Sequence, residues 1–156
     1  MSIHSRLRAT GTGIAPRAST SRRAAVAAAA VLLAAGLGVA SAATVRVRLT
    51  GSHEAPPVKT AARGSAVIEI AADGSVSGKV ETRGIKGTMA HIHEGAPGTD
   101  GPPIIALASG PHGTWVVPAG SKLSPTQYKE FLAGDLYVNV HSAAHPGGEI
   151  RGQLKP

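Results

Sequence analysis

GSAVIEIAADGSVSGKVE, running from Gly64 to Glu81, is the stretch that decides the fold. Apolar and polar side chains alternate with period two from Gly64 to Ile70 and again from Ser75 to Glu81, as in strands with one face in a core. Asp73-Gly74 between them supplies a tight turn, so the halves are expected to pair as an antiparallel hairpin. Upstream, TVRVRLT (Thr44 to Thr50) alternates in the same way. Downstream come short strand candidates at Thr88 to His93, Pro103 to Ala108 and Gly113 to Val117, each bounded by Gly or Pro. LYVNVHS (Leu136 to Ser142) and GEIRGQL (Gly148 to Leu154) follow, joined by the turn AAHPGG. One segment departs from this pattern: Ser124-Pro125 followed by TQYKEFLAG reads as an N-cap, a first-turn proline, a short helix and a stop at Gly134. Many short strands with one short helix predict an all-β fold, an antiparallel β-sandwich.

The first 42 residues read differently. Arg6, Arg8, Arg17, Arg22 and Arg23 precede the apolar run AAVAAAAVLLAAGLGVA, which ends at the small-residue triplet Ala40-Ser41-Ala42. That order is the grammar of a signal peptide over residues 1–42, leaving a domain over 43–156 that is exported, periplasmic or extracellular. The run is too rich in alanine for a secure membrane anchor, so no membrane span is expected after leader cleavage. Ser21-Arg22-Arg23 fits the twin-arginine route, which carries folded cargo, and equally fits an ordinary basic leader.

Charge excludes one class of partner. Beyond Ala42 there are eleven Lys and Arg against all nine Asp and Glu, a net of +2, so the basic character of the chain belongs mainly to the leader. Nucleic acid is therefore not an expected partner. The chain contains no cysteine, which removes disulfides, thiolate ligands and a cysteine nucleophile.

Histidine carries the chemistry. Residues i and i+2 of a strand share a face, so His91 and His93 in AHIHEG project together, as do Tyr137, Asn139 and His141 in YVNVHS. His145, in the following turn, can fold back toward the same place. Neutral imidazole suits copper and zinc, and His91, His93, His141 and His145 are the candidate metal ligands. Glu94 is a candidate to orient a ligand. The plain alternative is a set of hydrogen-bonded polar residues on a solvated face. His53 and His112 have no such partner in the pattern.

The segments LTGSHEAPPV (Leu49 to Val58), AHIHEGAPGTDGPPI (Ala90 to Ile104), GTW (Gly113 to Trp115) and LAGDLYVNVHSAAHPGGEIRGQL (Leu132 to Leu154) together resemble a CHRD domain, the module named after chordin. The resemblance implies an immunoglobulin-like antiparallel β-sandwich of Greek-key type. It implies no particular activity, because chordin members act by binding, as antagonists of growth-factor signalling. It maps a shared site onto His91, His93 and His141, whereas His145 stands where many relatives carry asparagine and His53 where glutamine is usual. Glu54 and Pro56-Pro57 match the early motif as structural residues, with Glu54 an outside candidate for the metal shell. Glu149 and Arg151 in GEIRGQ read as a salt-bridged sheet face. HIHEG is also similar to the copper strand of copper-zinc superoxide dismutase, although that enzyme's disulfide and histidine-rich zinc loop have no counterpart here.

The expected function is a metal-binding module, for copper or alternatively zinc, acting by binding or delivery rather than turnover. A structural or adhesive module that binds a protein partner through loops such as GAPGTDGPP is the alternative, and a dismutase-like metalloenzyme stands third.

Overall fold

The computed structural model describes residues 42–156; the signal-peptide reading of residues 1–42 lies, but for Ala42, outside the described residues. Nine strands and one helix follow in chain order: β1 (Ala42–Thr50), β2 (Arg63–Ala71), β3 (Val76–Arg83), β4 (Gly87–Glu94), β5 (Pro103–Ala106), β6 (Ala108–Ser109), β7 (Thr114–Val116), α1 (Pro125–Ala133), β8 (Leu136–Ser142) and β9 (Ile150–Leu154). Among the described residues no helix is long and apolar enough to cross a membrane.

The hairpin read from Gly64 to Glu81 forms as β2 and β3, which pair antiparallel from Arg63↔Arg83 to Ile70↔Val76. Asp73 shapes its turn, accepting hydrogen bonds from the Ser75 amide and hydroxyl at 2.9 Å each. Inward-facing Val45, Leu49, Ala66, Ile68, Ile70, Val80, Ala90, Ile92, Val138, Val140, Ile150 and Leu154 are buried together as one core. α1 starts at the expected cap, where the Ser124 hydroxyl accepts from the Gln127 amide at 3.2 Å and the Gln127 side chain accepts from the Ser124 amide at 2.8 Å. Its Phe131 is fully buried in that core.

The all-β antiparallel character and the single helix agree with the sequence reading. The division into two sheets does not: the nine strands join in one sheet, ordered β5-β4-β8-β9-β1-β2-β3-β7-β6. Its two terminal strands, β5 and β6, are separated in the chain by Leu107 alone. The Leu107 amide still donates to Ala90 O of β4 at 2.9 Å, while β6 already pairs with β7. A sheet whose opposite edges are one residue apart has to roll back on itself, and the result is close to a closed barrel. Pro103 to Ala108, read as one strand, is therefore a strand that changes partners midway.

β8 is buried along its whole length, on both faces. One face belongs to the apolar core. The other carries Tyr137, which lies against the chain at Gly95 and Gly101, Asn139, which lies against Glu54 and Gly148, and His141, which lies against Pro146.

Candidate metal centre

β4 and β8 are antiparallel neighbours, with His91 opposite Asn139, His93 opposite Tyr137 and Met89 opposite His141. Opposed residues share a face, so the alternation read from each strand separately converges on one surface. His91, His93 and His141 each offer a ring nitrogen, and these atoms all lie within 4.8 Å of one another. Ring centroids are 5.4 Å apart for His91 and His93, 5.0 Å for His91 and His141, and 5.7 Å for His93 and His141.

Backbone carbonyls orient two of the three rings. His93 Nδ1 lies 2.9 Å from Gly101 O, and His141 Nδ1 lies 2.9 Å from Pro146 O. A carbonyl only accepts, so both Nδ1 atoms carry the proton and both Nε2 atoms hold a bare lone pair. His93 Nε2 is buried and has no hydrogen-bond partner. His141 Nε2 meets His91 Nδ1 at 3.1 Å, a contact in which His91 Nδ1 donates. For His91 to turn a lone pair to the same point it has only to move its proton to Nε2.

These atoms fit a metal ion. Zinc or copper bonds imidazole nitrogen at about 2.0–2.1 Å, so two nitrogens on one ion lie about 2.9 Å apart at a right angle and about 3.4 Å apart at the tetrahedral angle. The 3.1 Å between His91 Nδ1 and His141 Nε2 falls within that range. Burial lowers the pKa of His91, with His141 adding to the effect. Burial also lowers that of His93, against the opposing hydrogen bond to Gly101. Both shifts favour the neutral imidazole, the state a ligand needs.

A layer of stacked and hydrogen-bonded groups holds this arrangement. Tyr137 stacks on His93, ring centroids 4.9 Å apart and planes 15° from parallel. The Arg151 guanidinium lies 3.4 Å from the centroid of the Tyr137 ring. Arg151, 1% exposed, donates to Thr99 O at 2.7 Å and to Ala96 O at 3.0 Å. Gln153 donates to Gly95 O and Gly134 O, each at 2.8 Å, and the Tyr137 hydroxyl accepts from the Gly101 amide at 3.1 Å. The Gly-Pro segment read as a presented loop is thus a lid, fastened from beneath through its own backbone while Pro97 to Asp100 stay exposed.

At Gly101 the lid passes so close to β4 that a Cβ would overlap Glu94 O. Gly101→Ala is expected to lift the lid and release the carbonyl that orients His93. Zinc(II) titration should show a loss of about tenfold or more in affinity, the usual cost of losing a group that orients a ligand.

Glu54, fully enclosed at 5% exposure, faces the same layer. Its Oε2 accepts from Asn139 Nδ2 at 3.1 Å, while its Oε1 has no partner. Gly148, at φ +136°, makes room for the pair, since a Cβ there would lie 2.5 Å from Asn139 Nδ2. Burial, opposed by the Asn139 hydrogen bond and the Arg151 charge, pushes the Glu54 pKa from an ordinary 4.5 up to about 7. The folded protein keeps this proton where the unfolded chain has released it. Its contribution is therefore fully present below about pH 4.5 and is lost as pH rises through about 7, roughly 3 kcal/mol in all. Glu54→Gln should remove that slope, so denaturation at pH 5 and pH 8 should favour the acidic side less in the variant than in the parent.

Several sequence readings change place. Glu94 stands opposite Leu136 on the other face of β4, because alternation turns it away from His93. Glu149 and Arg151 form no ion pair: Glu149 accepts from Thr60 Oγ1 at 2.7 Å, and the acidic neighbour of Arg151 is Asp100 at 3.7 Å. Burial tends to raise the Glu149 pKa, but hydrogen bonds from Ser142 and Thr60 and the nearby His145 hold it low. His145 is half-buried in the turn, its amide bonded to Ser142 O at 3.1 Å, and is not among the three clustered histidines. His53 is exposed in a single helical turn after β1, and His112 is exposed beyond β6. The alternation of β8 and β9 already placed Tyr137 and Arg151 on faces; no signal in the sequence showed the lid that unites them with Glu54.

No curated protein and no solved structure matches the chain. The family model for the CHRD domain matches residues 45–154, from the first core residue of β1 to the last of β9 and across every residue of the histidine centre. The chain thus belongs to the CHRD domain family.

Proposed function

We propose that this is an exported CHRD-domain protein that binds one copper ion through His91, His93 and His141, in a binding or delivery role. The observation that carries the reading is the pair of Nε2 lone pairs, on His93 and His141, that backbone carbonyls leave bare within the three-histidine cluster, one of them buried and without a partner. A buried polar atom left bare costs stability unless something fills the place. An ion held by three imidazoles fills it, with His91 completing the set. His91, His93 and His141 would hold the ion, which would supply a positive charge that their lone pairs stabilise.

Copper is favoured over zinc on the chemistry of the donors. No cysteine is available, and nitrogen donors bind copper(II) more tightly than zinc(II) in the general order of divalent affinities. Export rests on the basic and then apolar leader over residues 1–42.

Calorimetric titration of the purified, metal-free protein with copper(II) and with zinc(II) tests the reading. One ion per chain, with copper the tighter, is the expected result. No heat with either metal would return the three histidines to the role of a hydrogen-bonded polar layer.

A further inference from the structure

We propose that Met89 is a fourth donor to this centre, placing a thioether beside the three imidazoles and suiting the site to copper(I) as well as copper(II). The proposal rests on the histidine centre argued above and adds to it the oxidation state that the site accepts.

Placement carries the argument. Met89 precedes His91 by two residues in β4, so the two side chains share a face, and the residue directly across in β8 is His141. Directly opposed residues on one face have Cβ atoms about 4.5–5.5 Å apart, within the reach of methionine's unbranched, freely rotating chain. Met89 therefore stands next to the two ligands whose ring nitrogens already meet at 3.1 Å. His93 closes the opposite end of the centre, buried against Gly101 and Tyr137, while His91 is only half-buried. Met89, exposed, stands at the end of this face away from His93 and beside half-buried His91. The strand register shifts between Gly87 and Met89, and such irregularities re-aim side chains beside functional sites.

Burial does not explain this side chain. Met89 is 47% exposed, one of three large apolar residues left so among the described residues, with Val116 and Leu132. It also carries the chain's one sulfur atom besides that of Met1. Thioether sulfur is a soft donor that selects copper(I), whereas imidazole serves copper(II) and zinc(II). A set of three imidazoles and one thioether can therefore hold copper in either state, and zinc gains nothing from the fourth member.

The test compares the purified metal-free protein with Met89→Leu, a volume-conserving change at an exposed position. Copper(I) affinity is measured anaerobically by competition with a copper(I) chelator, zinc(II) affinity by calorimetry, and the copper shell by X-ray absorption. The parent should show sulfur in the copper(I) shell. Met89→Leu should lose that sulfur and bind copper(I) about tenfold or more weakly, with zinc(II) affinity unchanged. Equal copper(I) affinity in the two proteins, with only nitrogen in the shell of the parent, would overturn the role of Met89 and leave the histidine centre standing. Failure of the parent to bind either metal would overturn both.

Discussion

Replacing His91 and His93 together by alanine is expected to lower copper(II) and zinc(II) affinity by more than about a thousandfold, because loss of a group that merely orients a ligand already costs about 10–100-fold. The double change leaves His141 as the one clustered imidazole, and a single nitrogen on a protein surface does not hold an ion against water. Thermal stability provides an independent reading. An ion that binds only the folded state adds about 2.7 kcal/mol at a free concentration one hundred times its Kd, so copper should raise the Tm of the parent and leave that of the variant unmoved. His145→Ala is the matched control, since His145 lies outside the clustered three. A variant that still bound copper at parental strength would show that the ion sits elsewhere.

Arg151→Met should produce the largest loss of stability of any single change in the outer layer, about 2–4 kcal/mol, since a hydrogen bond from a charged group contributes about 1.5–3 kcal/mol. Methionine keeps much of the volume, so the loss reports on the guanidinium. That group is 1% exposed, holds Thr99 O and Ala96 O, and covers the Tyr137 ring on which His93 stacks. Without it, Thr99 O loses its donor, Ala96 O is left with only the Thr99 amide and hydroxyl, and buried Glu54 loses a neighbouring positive charge. Arg151→Lys should recover only part of the loss, because an ammonium cannot span both carbonyls and stack flat on the ring. Chemical denaturation of the three proteins measures the difference. Equal midpoints would mean that the lid is held by its own turns.

What was legible in the sequence was whatever period two could carry. Alternation placed His91 with His93 and Tyr137 with Asn139 and His141, and the pairing of β4 with β8 brought the two sets onto one face. The capping pattern around Ser124 located the helix to the residue, because cap and stop signals are local. Partners in space were not legible. Alternation states which way a side chain points and says nothing of which strand lies alongside, so two sheets were expected where Leu107 joins the edges of one. The same gap hid the lid: GAPGTDGPP reads as a free loop until Arg151 and Gln153 are found donating to its carbonyls and Tyr137 accepting from its Gly101 amide. Glu94 was given a role by proximity in sequence, but alternation turns it to the other face of β4, whereas Glu54, forty residues earlier, bonds Asn139 on the histidine face of β8.

The continuity of β5 and β6 through Leu107 also bears on how copies of this protein meet one another. A sheet normally ends in two rows of unpaired amides and carbonyls, each a template for a further strand from a neighbouring molecule. Here the two strands that end the sheet are four and two residues long, and the backbone steps directly from one to the other. A neighbour finds no long row to extend, so the rolled sheet resists edge-to-edge polymerisation at high concentration without relying on charge or on disulfides.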